Sequence, residues 1–337
     1  MNNRTHDGDF PPVMALIIPS ILLVLLLAIG TWPATELKPR DLPVGIVGPS
    51  EVVGTVSSQL EAQGFRVDVV VDQEEAEASI RDRDMLGAFV LGPDGPTTLV
   101  ASAASPVVAQ ALTQIGAGLA SAQSTTANVV DLVPFAEDDP RGAGFGAALQ
   151  PILLSGVVLG IMVWLSRLSR RPGLLLLGGS SVVLSLITTL VLTSWLGVLP
   201  GNWFAVFSAL LLAQGAVAAT TLGLASQAGF RGIALSAFLM IFIGLPLSGV
   251  TSAPELLPAA AWASGALLPP ASVASLVRGV SYFDGAGIAI PVLILVGWLA
   301  FGLVMALAPS RRRPSSPPSK VVAPNARGGY TPSIDTP

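Results

Sequence analysis

The residues that could do chemistry in this chain are few. It has no cysteine, which excludes thiolate nucleophiles, disulfides, zinc–thiolate sites and iron–sulfur clusters. Its one histidine, His6, lies in a polar N-terminal stub, so neither a two-His metal site nor a buried His general base can be built. The two lysines, Lys38 and Lys320, follow Leu37 and Ser319. A Walker loop needs glycine before its lysine to cradle phosphates, so ATP hydrolysis would require a separate polypeptide. Glu74, Glu75 and Glu77, followed by Asp82 and Asp84 interleaved with Arg81 and Arg83, read as a solvated helix face. Glu137, Asp138 and Asp139 read as a turn or helix cap. GAGFG (142–146) has no strand before it, so it reads as a flexible lead into a helix rather than a dinucleotide loop. The expectation is a protein that is not an enzyme, with no cofactor, no catalytic or metal site and no nucleic-acid partner.

The elements that position the remaining polar groups are apolar. Of the 337 residues 52% are hydrophobic and 11% charged, under half the charge usual in a soluble domain. Six runs without Asp, Glu, Lys or Arg are long enough to cross a bilayer: Pro12–Trp32, Phe145–Ser166, Gly173–Leu196, Trp203–Ala225, Gly232–Val250 and Ile288–Pro309. Arg4, Arg167, Arg170, Arg171, Arg231 and Arg311 to Arg313 fall on one side if both termini are cytoplasmic, whereas VLPGN (198–202) has no basic residue. The positive-inside rule therefore predicts a multi-pass plasma-membrane protein with both termini inside. The first run lacks a basic n-region and is longer than a signal core, so it is read as a retained anchor.

Residues 33–142 differ. They hold sixteen of the 21 acidic residues and six of the 17 basic ones. PVGIVG (43–48), RVDVVV (66–71) and LGAFVLG (86–92) read as strands and PTTLVAS (96–102) as a hairpin partner. Helices are expected from Ser50 to Gly64, after Asp72 as N-cap, and from Pro106 to Ser124. The order β-α-β-α-β-β-α predicts a small α/β sandwich with a mixed sheet, placed outside the cytoplasm between the first two spans.

Inside the apolar runs, GVVLG (156–160) has the G-x-x-x-G spacing that lets helices approach closely, read as intramolecular packing. Gln214 is the strongest hydrogen-bonding side chain of the fourth run, read as helix–helix glue. No span carries a titratable residue, which weighs against proton-coupled transport. The segment 251–287 is too apolar for an ordinary loop and is broken by prolines. It predicts short helices at the outer interface or dipping back into the bilayer, with Trp262 and Tyr282 at headgroup depth, Glu255 paired with Arg278 and Asp284 capping the last helix.

Three stretches carry a family resemblance: LPVGIVG, DLVPFAEDDPRGAG (131–144), and the pattern PLSG…PELLP…LLPP…LVRGVSYFDGAG after the fifth run. With them the layout resembles that of the ABC-2-type membrane proteins of the YhgE/Pip (phage-infection-protein-like) group. The resemblance implies an all-α membrane bundle of six transmembrane helices with an inserted extracytoplasmic α/β domain. It makes Ser248, Gly249, Pro254, Pro258, Pro269 and Arg278 the signature positions, with Gln214 the pathway candidate from the residues themselves. The expected division is a cytoplasmic stub (1–11), transmembrane helix 1 (12–32), the outer domain (33–142), transmembrane helices 2–6 (143–309) and a Pro- and Ser-rich disordered tail (310–337).

Two functions follow. One is a permease-like subunit exporting an amphipathic or lipid-like substrate, acting as a homodimer or with a separate ATPase docked on RLSRRP (167–172) and SQAGFRG (226–232). The other is a non-transporting envelope scaffold or receptor whose outer domain binds a protein partner.

Overall fold

The computed structural model describes residues 38–93, 95–249 and 256–309, together with positions 17, 20, 21, 23, 24, 27, 28 and 31 of the first apolar run. Those eight positions are helical and exposed. The stub, the tail, Pro254 and Glu255 lie outside the described residues.

The acidic region folds as a five-stranded mixed sheet in the order β2-β1-β3-β4-β5. The strands are β1 (Leu42–Val47), β2 (Phe65–Val69), β3 (Gly87–Gly92), β4 (Gly95–Val100) and β5 (Asn128–Asp131). The near-continuous apolar run of β1 suits a central strand, and β1 pairs in parallel with both β2 and β3. Hairpin β3–β4 is antiparallel with Gly92 opposite Gly95, and β5 joins β4 in parallel. This fifth strand was not expected. It is only four residues long and is held by Thr97–Asn128 to Val100–Asp131 pairing rather than by buried side chains of its own.

Three helices cover the sheet: α1 (Ser50–Ala62), α2 (Gln73–Arg81) and α3 (Pro106–Ala122). Asp72 caps α2 by accepting from the Glu75 N–H (2.9 Å), and Ser105 caps α3 through the Val108 N–H (3.3 Å). Val53, Val56 and Leu60 of α1 and Val108 and Leu112 of α3 pack with Leu42, Val44, Ile46 and Phe89 in one core. The core on the α2 side is different. Ile80, Ala88 and Leu99 belong to the same apolar cluster as Phe145, Leu149 and Leu153, so it continues into the helical bundle.

That bundle contains four helices long and apolar enough to cross a membrane: α4 (Ala143–Leu165), α5 (Arg170–Thr189, extended by a π-helical turn to Trp195), α6 (Trp203–Ala228) and α10 (Ala289–Leu307). At 23 residues α4 is about 35 Å long, against a hydrocarbon core of about 30 Å. A bent pair, α8 (Ala259–Gly265) and α9 (Pro269–Tyr282), passes the same test only if counted as one span. The expected fifth span, Gly232–Val250, is a shorter apolar helix, α7, at Phe230–Ala237 with a π-helical turn to Ile243. The described residues therefore hold four to five apolar helices able to span.

The central helix is α6, which packs against α4, α5, α7, α9 and α10. Glycine makes this possible. A Cβ on Gly156 would meet Val217 and the Gln214 carbonyl, and one on Gly160 would meet Ala218 and Thr221. GVVLG thus packs within the chain, against α6. Gly223 and Gly302 bring α6 and α10 equally close: a Cβ on either would strike the other helix's backbone.

Candidate functional site

Two polar constellations interrupt the apolar interior. The first joins the α/β unit to the bent pair. Pro269 and Pro270 occupy the start of α9, where missing N–H groups cost nothing but the preceding helix cannot run on. The result is an 84° bend between α8 and α9, pinned by the Trp298 indole N–H donating to the Leu267 carbonyl (2.8 Å). Pro258 precedes the first residue of α8 as its N-cap. Close approach is again enforced by glycine, since the Leu247 carbonyl leaves no room for a Cβ at Gly265.

Arg278 lies on α9, 5% exposed, with its guanidinium 5.0 Å from the centroid of the Phe145 ring. A cation over an aromatic face is favoured most where water is excluded. Around it the outer ends of the helices are tied together. Tyr282 donates its hydroxyl to the Val198 carbonyl (2.7 Å) and stacks edge-on against Phe135 and Phe145. Asp139 accepts from the Phe145 N–H (2.9 Å), capping α4, while Phe135 fills the space a side chain at Gly142 would need. Tyr282 is half-buried, with its hydroxyl bound to the chain.

From the other side comes Arg83. It has φ 67°, the left-handed conformation that glycine usually takes just past a helix end, with its N–H on the Ile80 carbonyl (3.2 Å). This turns the side chain away from the charged face of α2 and onto α9. Its guanidinium donates to the Ser275 and Ala286 carbonyls and the Ser275 hydroxyl, each at 3.4 Å, and lies 5.3 Å from the Phe283 centroid. The reading of Arg83 as one of a run of solvated charges is thus corrected. Arg40 adds a second tie, donating to the Leu256 carbonyl (2.7 Å). Arg83 and Arg278 face one cavity of about 110 Å³ with Ser248, Gly249, Trp262 and Phe283. Ser248 donates to the Leu245 carbonyl (2.6 Å).

The second constellation is Gln214, fully buried on α6. Its amide nitrogen donates to the hydroxyls of Ser155 on α4 and Thr188 on α5 (both 3.0 Å), and its carbonyl accepts from Ser185 (2.7 Å). Three helices are locked by one side chain. Ser155 and Thr188 also line an apolar groove of about 470 Å³ between α4 and α5, with Ala148, Pro151 and Leu192.

The structure thus brings Ser248, Gly249 and Arg278 together, places Pro258 and Pro269 at the starts of the two bent helices, and puts Gln214 elsewhere in the bundle. Asp284 does not cap α10. Its N-cap is Ile288, which has no side-chain cap bond, and Asp284 instead takes a left-handed turn at φ 47°. Among the described residues no group of three or more His, Asp or Glu could hold a metal ion.

Fold and sites together define a helical membrane protein with a small α/β unit packed on one end of its bundle. Comparison with family models, curated proteins and solved structures returned no match to this chain.

Proposed function

We propose that this chain is a permease-like membrane subunit, of the ABC-2-like layout its sequence resembles, that exports an amphipathic or lipid-like substrate with a separate ATPase. The observation that carries the reading is the α4–α5 groove. It falls in the size range of ligand pockets, its walls are mostly apolar, and the polar side chains among its lining residues are Ser155 and Thr188. Such a groove suits a chain with one polar group better than a fully polar solute.

The proposed topology has six spans: the first apolar run, α4, α5, α6, α7 and α10, with α8–α9 re-entrant on the outer side and the α/β unit outside. Arg167, Arg170, Arg171 and Arg231 then gather at the inner end, as the positive-inside rule favours. Ala148→Trp would fill the groove without touching either arginine cluster. Loading of a photoactivatable alkyl probe into the reconstituted protein should fall at least tenfold, while labelling unaffected by Ala148→Trp sinks the reading.

A second reading has its own observation. Strand β2 is one edge of the sheet; Val69, its last residue, and Val71, two residues beyond it, are 70% and 86% exposed. An open edge with apolar side chains can accept a partner strand, as an envelope scaffold or receptor would require. A complex with an envelope protein that is abolished by Val69→Lys with Val71→Lys would favour this reading.

A further inference from the structure

At the end of the bundle opposite the α/β unit, the termini of α4, α5, α6 and α10 enclose a pocket of about 450 Å³. Trp164, Phe230 and Ala306 line it, with Arg167 and Arg170 also in its wall. Trp164 and Phe230 meet edge to face at 5.3 Å. A smaller space of about 130 Å³ adjoins it, sharing Trp164, Leu168, Arg170, Ser226 and Ala306 and reaching the apolar side chains of Val163, Leu174 and Leu222. The combined shape is amphiphilic, with a basic mouth and an apolar recess.

Among the described residues that line it are two arginines and no carboxylate. Between Asp139 and Asp284 the only acidic residue in the sequence is Glu255, more than twenty residues from Arg231. The two ion pairs formed between described residues, Arg66–Asp68 and Arg81–Glu77, both lie in the α/β unit. Arg170 is positioned by donating to the Ala308 carbonyl (3.4 Å), which holds its guanidinium across the pocket. The first turn of α5 adds to the field. Its N-cap, Ser169, makes no side-chain cap bond, so the Arg170 and Arg171 N–H groups have no capping acceptor there.

We infer that this pocket binds the phosphate group of an anionic membrane lipid between Arg167 and Arg170, with the start of its acyl chain in the recess. Arginine's planar fork matches phosphate oxygens, and basic pockets between helix ends are suited to anionic headgroups. The recess favours a lipid over free phosphate, because an inorganic ion would leave the Phe230 ring, 74% exposed, and the half-buried Leu174 without an apolar cover. The inference does not rest on the transport reading, although Arg167, Arg170, Ser226 and Phe230 lie in the loops expected to dock an ATPase.

The test uses the full-length protein in nanodiscs of phosphatidylcholine with a small fraction of phosphatidylglycerol, followed by native mass spectrometry. The wild type should keep one phosphatidylglycerol per chain after exchange into pure phosphatidylcholine. Arg167→Ala with Arg170→Ala should lower that occupancy at least tenfold, and the double Lys variant should keep part of it. Ala306→Phe leaves both guanidiniums in place, fills the floor and should lose the same lipid, so the test survives if the alanine variant misfolds. Equal occupancy in wild type and Ala306→Phe would overturn the inference. A thermal shift with inorganic phosphate alone, not exceeded by the lipid, would overturn the lipid as source. Competition for the pocket by an acidic protein segment but not by lipid would do so too.

Discussion

The two ends of the bundle handle positive charge in opposite ways. At the α/β end, Arg278 lies over Phe145 and Arg83 reaches backbone carbonyls and the Phe283 ring. Asp139 is spent on capping α4, and Tyr282 on Val198. At the other end Arg167 and Arg170 stand in the wall of an open pocket whose described lining holds no acidic residue. One end meets its cations with the chain's own carbonyls and rings, whereas at the other the described residues leave a pocket with two arginines in its wall. Between them, α6 holds the ends at a fixed separation through glycine contacts and a single buried amide.

The largest effect should come from breaking that central spacer. Gly302→Val puts a branched side chain against the backbone of Ala219 and Thr220, and should destabilise the bundle by about 3 kcal/mol or prevent its assembly. Thermal unfolding of the purified protein would show this as loss of the folded fraction, affecting both ends equally. Next is Arg278→Ala, expected to cost about 2 kcal/mol and to loosen only the α/β end, seen as faster hydrogen exchange in α9 with α5 unchanged.

Gln214→Leu comes third. It deprives the Ser155 and Thr188 hydroxyls of their donor and should cost about 1 kcal/mol, with α4 and α5 exchanging faster near the groove. At Arg83 the sign between two variants is the informative quantity. Both Arg83→Ala and Arg83→Gly lose the contacts to α9, but glycine relieves the left-handed backbone at φ 67°. The glycine variant should be the more stable by about 1 kcal/mol.

Smallest is Glu77→Gln. The Gln73 amide, and then Arg81, hold the Glu77 carboxyl below its usual range. Because the folded value is depressed, the contribution is present above the ordinary glutamate range and is lost as pH falls through and below it. The pair is exposed, so the change should be about 0.3 kcal/mol in a pH-dependent melt, and undetectable at the opposite end.

How much of this could be read beforehand follows the same division. Apolar length and the placement of arginine are one-dimensional signals, so the long helices α4, α5, α6 and α10 stand within a few residues of their expected bounds. Gln214 was visible as an isolated amide in an apolar run, and the structure adds which hydroxyls it serves. The cap at Asp72 was likewise written locally. Arg83 was hidden because R-D-R-D looks like a solvated helix end, and only the tertiary position of α9 tells it from Arg81. Strand β5 was hidden by its shortness, and the shortened α7 because apolar composition runs on past the point where the backbone turns. No local signal marks the pocket at Arg167 and Arg170, which exists only where four helix ends converge.

The central claim is that these two ends lie on opposite faces of a membrane, with the α/β unit outside. The absence of native cysteine makes single-cysteine labelling direct. Glu61→Cys, exposed at the end of α1, and Arg171→Cys, exposed at the start of α5, would each be treated with a membrane-impermeant maleimide in intact cells. The account predicts that Glu61→Cys labels at once and Arg171→Cys only after permeabilisation. The reverse order, or equal labelling of both in intact cells, would contradict it.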